Sequence, residues 1–417
     1  MIEYFKVNKE MGLRLIYGRA GSGKTTYCFQ EIRDKINQGE KIYIITPEQF
    51  SFTAEKNLLN VIDSSAVMQA EVLTFDRMAY RVFLEVGGRT ETCLSDCGTN
   101  MLLYEVLDSE KKNLNFLGKS SKNVALIHRL FTEFKKHQIS SKQVKETIET
   151  LDDTYLKTKL ADILCLQESY EKRIPENYID GADRLNKLAS KIPESHMFDN
   201  SLIYLDEFAG FTKQEYCIIE ALLKKAKQIN ITVCTDCLEE NCDAETDLFY
   251  ANKMTALRLL DIAKRNNIEV KKPVFFEKSH RFKNAELDHL EKNIYCIDGE
   301  VYDKKPEHIE LFLAMNPYTE IEKVARKITE LVREEKYRFK EIAIITKNIE
   351  NYSATTKAIF AQYDIPVFID KTRDLSQPIF VQFLLAFLDI FSKNWSYEAV
   401  FSYLKTGLTG VKRRRYF

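Results

Sequence analysis

An excess of charge of either sign is what this chain most plainly lacks. Its 417 residues carry 61 basic and 62 acidic side chains, a formal net charge of −1. Binding to nucleic acid through a global field needs an imbalance, so any such contact must come from a local patch. No apolar run is long enough to span a bilayer, so the membrane is not expected as a partner. No secretory leader accompanies the nine cysteines, which therefore read as reduced thiols of a cytoplasmic protein. Internal repeats and low-complexity linkers are absent too. What is present is ample core material, 45% hydrophobic and 12% aromatic residues, enough for two or three domains at this length.

The most informative stretch is Gly18-Arg19-Ala20-Gly21-Ser22-Gly23-Lys24-Thr25, followed by Thr26. It fits the phosphate-binding pattern G-x-x-x-x-G-K-[ST] at every defined position. Leu13 to Tyr17 reads as a short buried strand before it, and Thr26 to Asn37 as a helix after it. Glycines let the backbone curl so that successive N–H groups face phosphate oxygens, and the helix N-terminus adds positive potential. In this reading Lys24 reaches the β- and γ-phosphates of ATP and the Thr25 hydroxyl holds Mg²⁺. The competing reading is a glycine-rich turn without a ligand.

Strand and helix alternate from residue 12 to about 80: Lys41–Ile45 is a strand, a helix starts at Ser51, and a strand ends at Thr74-Phe75. Residues 81–199 change character. They are polar and helix-patterned, with Arg129, Lys135, Lys136 and His137 on a segment from Val124 to Ile139 whose basic face is expected to be solvated. Strand signal returns at Ser201–Leu205 and Ile229–Cys234. The expected class is therefore α/β: a parallel first domain over 12–80 and 200–300, interrupted by a helical insertion. A charged stretch, Glu277 to Lys305, precedes a second α/β domain over 306–375. Its expected strands are Ile309–Leu313, Glu341–Thr346 and Pro366–Ile369, with helices at Tyr318–Glu335 and Ser353–Gln362. Helical pattern dominates 376–417.

Leu202 to Leu205 is an apolar strand that ends in Asp206 and Glu207. Beside a phosphate loop in one sheet, the first acid holds the metal and the second orients the attacking water. Alone, the pair could equally be a solvated strand end. Together, loop and acids imply Mg-ATP handling without distinguishing a kinase, a motor or an inactive switch.

The order of loop, helical insertion, Asp-Glu strand and second α/β domain resembles superfamily-one helicases of the UvrD type, with RecA-like domains. More specifically, the chain resembles the B subunits of bacterial AddAB (RexAB) helicase–nucleases. The resemblance rests on Leu15 to Thr25, Ile45 to Phe52 with Ala54-Glu55, and Val72 to Phe75 with Arg77 to Arg81. Tyr204 to Phe208, Leu287 to Lys292 and Lys340 to Thr346 complete it. It implies an A-type helicase/nuclease partner, single- and double-stranded DNA as substrates, Chi recognition during double-strand-break repair, and a cytoplasmic, nucleoid-associated location. Family members are far longer, and this chain resembles their N-terminal third, with the basic tail after Gly410 departing from the pattern. The nuclease core (an Asp, then Glu-x-Lys and Gln-x-x-x-Tyr) is missing from this sequence, and the family's iron–sulfur cluster is expected only in the full-length protein.

Three departures from active members point to a degenerate motor. Residues 1 to 17 hold no glutamine to read adenine. The place of Gly-Asp-x-x-Gln reads Cys234 to Glu239 and keeps only Asp236. Lys347 stands where an arginine touches the γ-phosphate, and an ammonium lacks the planar fork. The readings left open are a competent helicase fragment, a phosphate-loop kinase and a nucleotide-free scaffold.

By the same resemblance, Thr46, Phe50, Phe52, Thr74, Phe75, Arg77 and Arg81 are candidates for single-stranded DNA, the aromatics stacking on bases and the arginines meeting phosphates. Any one of these aromatics could instead be core. Cys234, Cys237 and Cys242 lack an adjacent fourth ligand for a metal. Cys93 and Cys97 are expected to pack against helices. His128 and His137 have no carboxylate or serine partner evident in the sequence.

Overall fold

The computed structural model describes residues 11–61, 69–88, 92–117, 123–175, 178–239, 246–371 and 377–410; the basic tail and Cys242 lie outside them. The chain divides into two units, one up to Ile309 and one from Glu310.

In the first unit, strand–helix steps run β1 (Gly12–Gly18), α1 (Lys24–Asn37), β2 (Ile42–Ile45), α2 (Ser51–Val61), β3 (Ala70–Leu73) and α3 (Phe75–Val86). An excursion follows through β4 (Thr92–Leu94), α4 (Asp96–Ser109), α5 (Val124–Lys136), α6 (Ser141–Thr150), α7 (Thr154–Arg173), β5 (Tyr178–Asp180) and α8 (Arg184–Lys191). The chain then returns as β6 (Leu202–Leu205), α9 (Lys213–Leu223), β7 (Gln228–Cys234), α10 (Tyr250–Arg265), β8 (Glu269–Val270), β9 (Val274–Phe276) and α11 (Ala285–Asn293).

Seven of these strands form one sheet in the order β3-β2-β6-β7-β1-β8, with β9 also on β1. Every pairing is parallel. Such a sheet needs cover on both faces, and the strands supply two apolar faces by simple alternation. Leu13, Leu15, Ile203, Leu205, Ile229 and Ile231 pack with α3, α8, α9 and α10. Ile16, Ile42, Ile44, Val72, Leu202 and Tyr204 pack with α1 and α2 on the other side. Burial at this depth contributes about 1.5–3 kcal/mol for each large aliphatic side chain. The α/β class read from the sequence is the observed one. Because β2 lies beyond β6 and β7 from β1, the C-terminal ends of β1, β6 and β7 sit side by side where connections diverge, the usual place for a crevice in such sheets.

The strand expected to end at Thr74-Phe75 stops at Leu73. Thr74 is instead the N-cap of α3, its hydroxyl accepting from the Arg77 N–H at 3.2 Å, and Phe75 opens the helix. An N-cap threonine competes with strand extension at this spot. β8, β9 and α11 had no counterpart in the sequence reading, which took residues 277–305 as a charged stretch.

In the excursion, α4, α5 and α7 share a core of Leu103, Val106, Ile127, Phe131, Ile163, Leu166 and Tyr170. β4 and β5 form a short parallel pair. Two polar clusters hold this region. The buried Asp162 carboxylate accepts from the backbone N–H groups of Asn115, Phe116 and Leu117 at 2.6–3.1 Å, fixing the loop after α4. The Tyr170 hydroxyl donates to Asp180 at 2.7 Å, and the Lys135 ammonium reaches Asp180 at 2.9 Å and Asp183 at 2.5 Å. Burial works to raise the Asp180 carboxyl, but Lys135 and the hydrogen bonds outweigh it and hold it below its ordinary value. Lys135 is thus a half-buried structural cation, which corrects the solvated-face reading for this residue. Arg129 is exposed as expected. His137 does have a carboxylate neighbour, Glu133 one turn back at 3.7 Å, and both are exposed. Cys93 and Cys97 are exposed, against the expectation that they pack in helix contacts.

The second unit contains α12 (Pro317–Arg333), α13 (Ile349–Gln362), α14 (Ile379–Ser392) and α15 (Tyr397–Lys405). α12 and α13 pack through Ile321, Ala325, Ile328, Ile359 and Phe360. The three strands expected here do not form among the described residues. Strand propensity needs a ladder partner to be realised. These segments have none, leaving Leu311, Leu313, Ile345 and Phe368 at least 90% exposed.

One prediction concerns the excursion. Asp162→Asn should destabilise it by about 3 kcal/mol, because a buried nest of N–H groups loses its charged acceptor. Hydrogen exchange of residues 110–117 should accelerate while α1 and α9 keep their protection; unchanged exchange would remove this role for Asp162.

Candidate functional site

The loop between β1 and α1 curls back because Gly21 and Gly23 take positive φ, +78° and +92°. A β-carbon at Gly21 would lie 2.5 Å from that of Arg281, so both conformation and space demand glycine there. Gly23 is also the N-cap of α1 and offers no side-chain acceptor. The first N–H groups of the helix therefore have no capping side chain, and the positive end of the helix faces the cleft unshielded.

Lys24 folds over the loop, its ammonium donating to the carbonyls of Gly18 at 2.8 Å and Arg19 at 2.9 Å. Burial pulls the lysine below its ordinary pKa; the nearby Cys234, Asp206 and Glu207 oppose this and Arg281 adds to it. Thr25 donates to the Glu207 carboxylate at 3.3 Å. Asp206 extends the sheet by one hydrogen bond, from its N–H to the Ile45 carbonyl at 3.1 Å, and its buried carboxylate accepts from the Thr232 hydroxyl at 2.6 Å. Glu207 sits at φ +66°, a left-handed conformation uncommon for a residue with a β-carbon. The strand end is thereby turned so that two consecutive acids serve one cleft.

That cleft has a volume of about 610 Å³ and is lined by Ala20, Gly21, Gly23, Lys24, Thr25, Thr26, Asp206, Glu207, Thr232, Cys234, Asn252, His280 and Arg281, among others. It suits a nucleotide in size. The donor set also fits a polyphosphate with a divalent ion: open helix N–H groups, an ammonium, a hydroxyl and two carboxylates. The Ser22 hydroxyl, 1% exposed, has no hydrogen-bond partner, and such an orphaned group within the loop is consistent with a ligand-shaped cradle.

A strap from the segment after β9 closes over the loop. The His280 N–H donates to the Gly21 carbonyl at 2.8 Å. Arg19 makes two 3.1 Å bonds to the Glu291 carboxylate on α11 and a third, at 3.0 Å, to the Glu291 carbonyl. Its guanidinium also lies 5.0 Å over the Phe249 ring. Arg19 is thus engaged with the strap. Lys347 belongs to the second unit and is exposed there. The guanidinium that lines the cleft is that of Arg281, a residue the sequence reading passed over. Its signal was the Ser279-His280-Arg281 cluster directly after an aromatic strand. Thr232 and Asn252 were missed as well; the former shows as a polar residue interrupting an apolar strand.

The candidate DNA contacts separate. Phe52 is 75% exposed on α2, and Phe50 is half-buried just before it. Thr46 follows β2 at the C-terminal edge, buried, with an unpartnered hydroxyl. Phe75 is a correction: its ring is buried in the core, 5.6 Å from that of Phe208, so no face is left for a base. Thr74 spends its hydroxyl on capping. Arg77 pairs with Glu55 at 2.5 Å. Arg81 pairs with Glu71 in the middle of β3, at 3.3 Å, because α3 runs back along the sheet and carries it away from the C-terminal edge.

Among the described residues no cluster of three or more His, Cys, Asp or Glu is placed to hold a metal ion, and no helix is long and apolar enough to cross a membrane.

Comparison with known proteins adds to this geometry. The model of the family "ADDB, N-terminal" matches residues 15–291. The B subunit of the ATP-dependent helicase/deoxyribonuclease of Clostridium tetani is 44% identical over 97% of this chain and 36% of its own length. The protein of the same description from Clostridium botulinum (strain Loch Maree / Type A3) is 41% identical over 96% of this chain and 36% of its own. That from Caldanaerobacter subterraneus subsp. tengcongensis is 39% identical over 97% and 35%. The chain thus spans about a third of the length of these curated relatives. On the residues that build the cleft and on these matches, the chain belongs to the ADDB family, within its N-terminal region.

Proposed function

We propose that this chain is the helicase-like, ATP- and single-stranded-DNA-binding part of the B subunit of an ATP-dependent helicase/deoxyribonuclease. In that assembly it works beside an A-type motor protein on double-stranded breaks, and it contributes to recognition of Chi. The observation that carries the nucleotide reading is the convergence of Lys24, Thr25, Asp206 and Glu207 on one cleft at the open end of α1. The RecA-like description of the first domain rests on the same convergence and on the parallel sheet.

In this reading the loop N–H groups and Lys24 bind the polyphosphate. An anion there offsets the burial that lowers Lys24 and favours its charged form. Thr25 and Asp206 would hold Mg²⁺, which when bound neutralises phosphate charge. Thr232 fixes the Asp206 carboxylate. Glu207 orients a water and accepts its proton. Arg281 serves as a further cleft cation beside Lys24.

The motor itself is proposed to be degenerate. Asp236, the retained acid of the DNA-coupling motif, is held by the Lys253 ammonium at 3.0 Å, and Lys253 also reaches Asp247 at 2.7 Å. Burial works to raise Asp236, but these contacts hold it below its ordinary value. Neither the glycine nor the glutamine of that motif is present after β7. Nothing at this position then links phosphate to a DNA strand, which fits a protein that binds ATP while its partner does the unwinding. Thr46, Phe50 and Phe52 form the proposed DNA-facing edge.

Three outcomes check these assignments. Lys24→Ala should weaken ATP binding by about a hundredfold, the equivalent of about 3 kcal/mol from charge-assisted bonds, in a fluorescent-nucleotide titration. Glu207→Gln should bind normally but turn over ATP at least about tenfold more slowly, as expected for loss of a general base; wild-type turnover would end that assignment. Phe52→Ala should weaken binding of a single-stranded oligonucleotide by about five- to tenfold, the stacking of one base being about 1–3 kcal/mol, with the circular dichroism spectrum unchanged.

A further inference from the structure

The nucleotide reading makes no use of Cys234 and Cys237, yet both stand at the cleft. Cys234 closes β7 opposite Gly18 of the phosphate loop, on the same strand face as Thr232, and it lines the cleft. Its carbonyl is held by the Asn252 side-chain amide at 2.5 Å. After it the chain turns, with the Thr235 hydroxyl donating to the Cys237 carbonyl at 2.9 Å. Cys237 then meets the Lys253 ammonium, which also holds Asp236 and Asp247. Both cysteines are partly exposed and neither is in a disulfide. Two cysteines three apart, one ending a strand of a parallel sheet and the other just beyond it between the Lys253 ammonium and the Asp236 carboxylate, have the spacing of a redox-active dithiol. None of the other described thiols lines the cleft. Cys28 is buried and pushed well above its ordinary pKa by burial, and Cys93, Cys97 and Cys296 lie on the surface away from the cleft lining.

We infer that Cys234 and Cys237 form a thiol–disulfide switch that weakens nucleotide binding when closed. The inference rests on the nucleotide reading of the cleft. The oxidant is a low-molecular-weight disulfide such as oxidised glutathione. The Cys237 thiolate, beside Lys253, attacks one of its sulfurs; a mixed disulfide forms and one glutathione thiolate leaves. The Cys234 thiolate then attacks the Cys237 sulfur, forming the Cys234–Cys237 bond and releasing the second glutathione thiolate. The two protons shed by the cysteines pass to the two glutathiones, so the pair is oxidised by two electrons and the added disulfide reduced by two. Closure draws Cys237 off Lys253 and puts a disulfide in place of the thiol on the cleft wall, next to the loop that cradles phosphate.

The test uses the chain as it stands, reduced or exposed to excess oxidised glutathione and then desalted. A fluorescent ATP analogue with Mg²⁺ reads affinity, and peptide mass spectrometry maps the disulfide. The oxidised protein should carry a Cys234–Cys237 bond and bind the analogue about tenfold more weakly, the loss expected when one bond to a charged group is disrupted. Dithiothreitol should restore binding. Cys237→Ser should keep its affinity through the same treatment, which separates the switch from reaction at the surface thiols. If the bond fails to form, or forms while affinity stays level, the switch is wrong even though the reduced protein binds. A reduced protein that binds no analogue overturns the nucleotide reading and the switch with it.

Discussion

The first unit depends on one constraint: a helix begins at the C-terminal edge of a parallel sheet with nothing but glycine to cap it. Gly23 leaves the leading N–H groups of α1 open, and Gly21 bends the loop so closely that Arg281 packs against it. An uncapped helix start is a standing deficit of hydrogen bonds and an excess of positive potential. The surrounding structure answers it with negative groups. Asp206 and Glu207 end β6 on the same edge, each held in place by a hydroxyl, from Thr232 and Thr25 respectively. The order of strands makes this possible, since β7 alone separates β6 from β1.

The strap from Phe276 to α11 is the second feature that shapes the site. It joins the loop through His280 and through the three bonds between Arg19 and Glu291. These bonds tie the strap to the loop at Arg19 and Gly21. Cys234 brings a third influence to the same wall, one set by redox conditions and not by ligand concentration.

Much of this was legible in the sequence, for reasons that are local. Phosphate-loop glycines and an apolar strand ending in paired acids are short-range patterns, so β1, α1, β6 and the pair of acids were read with boundaries within two residues. What escaped depended on distant partners. Lys135 reads as a surface lysine until α5 is set against Asp180 and Asp183, 45 and 48 residues away. Phe75 reads as a stacking platform until Phe208 arrives from the far side of the excursion. Arg281 sits in a charged stretch with weak periodicity, and only the pairing of β9 with β1 brings it to the cleft. The segments around Leu311, Ile345 and Phe368 carry strand composition without the ladder that would make them strands, and their exposure follows from that lack.

The central claim is that the open end of α1 and the two acids of β6 together hold a nucleoside triphosphate and its metal. The most direct measurement is a structure of the protein with Mg²⁺ and a non-hydrolysable ATP analogue. The account predicts phosphates against the N–H groups from Gly21 to Thr25, with the ion between the Thr25 hydroxyl and Asp206. An empty loop at saturating analogue, or a nucleotide bound elsewhere with both acids turned away, would contradict it.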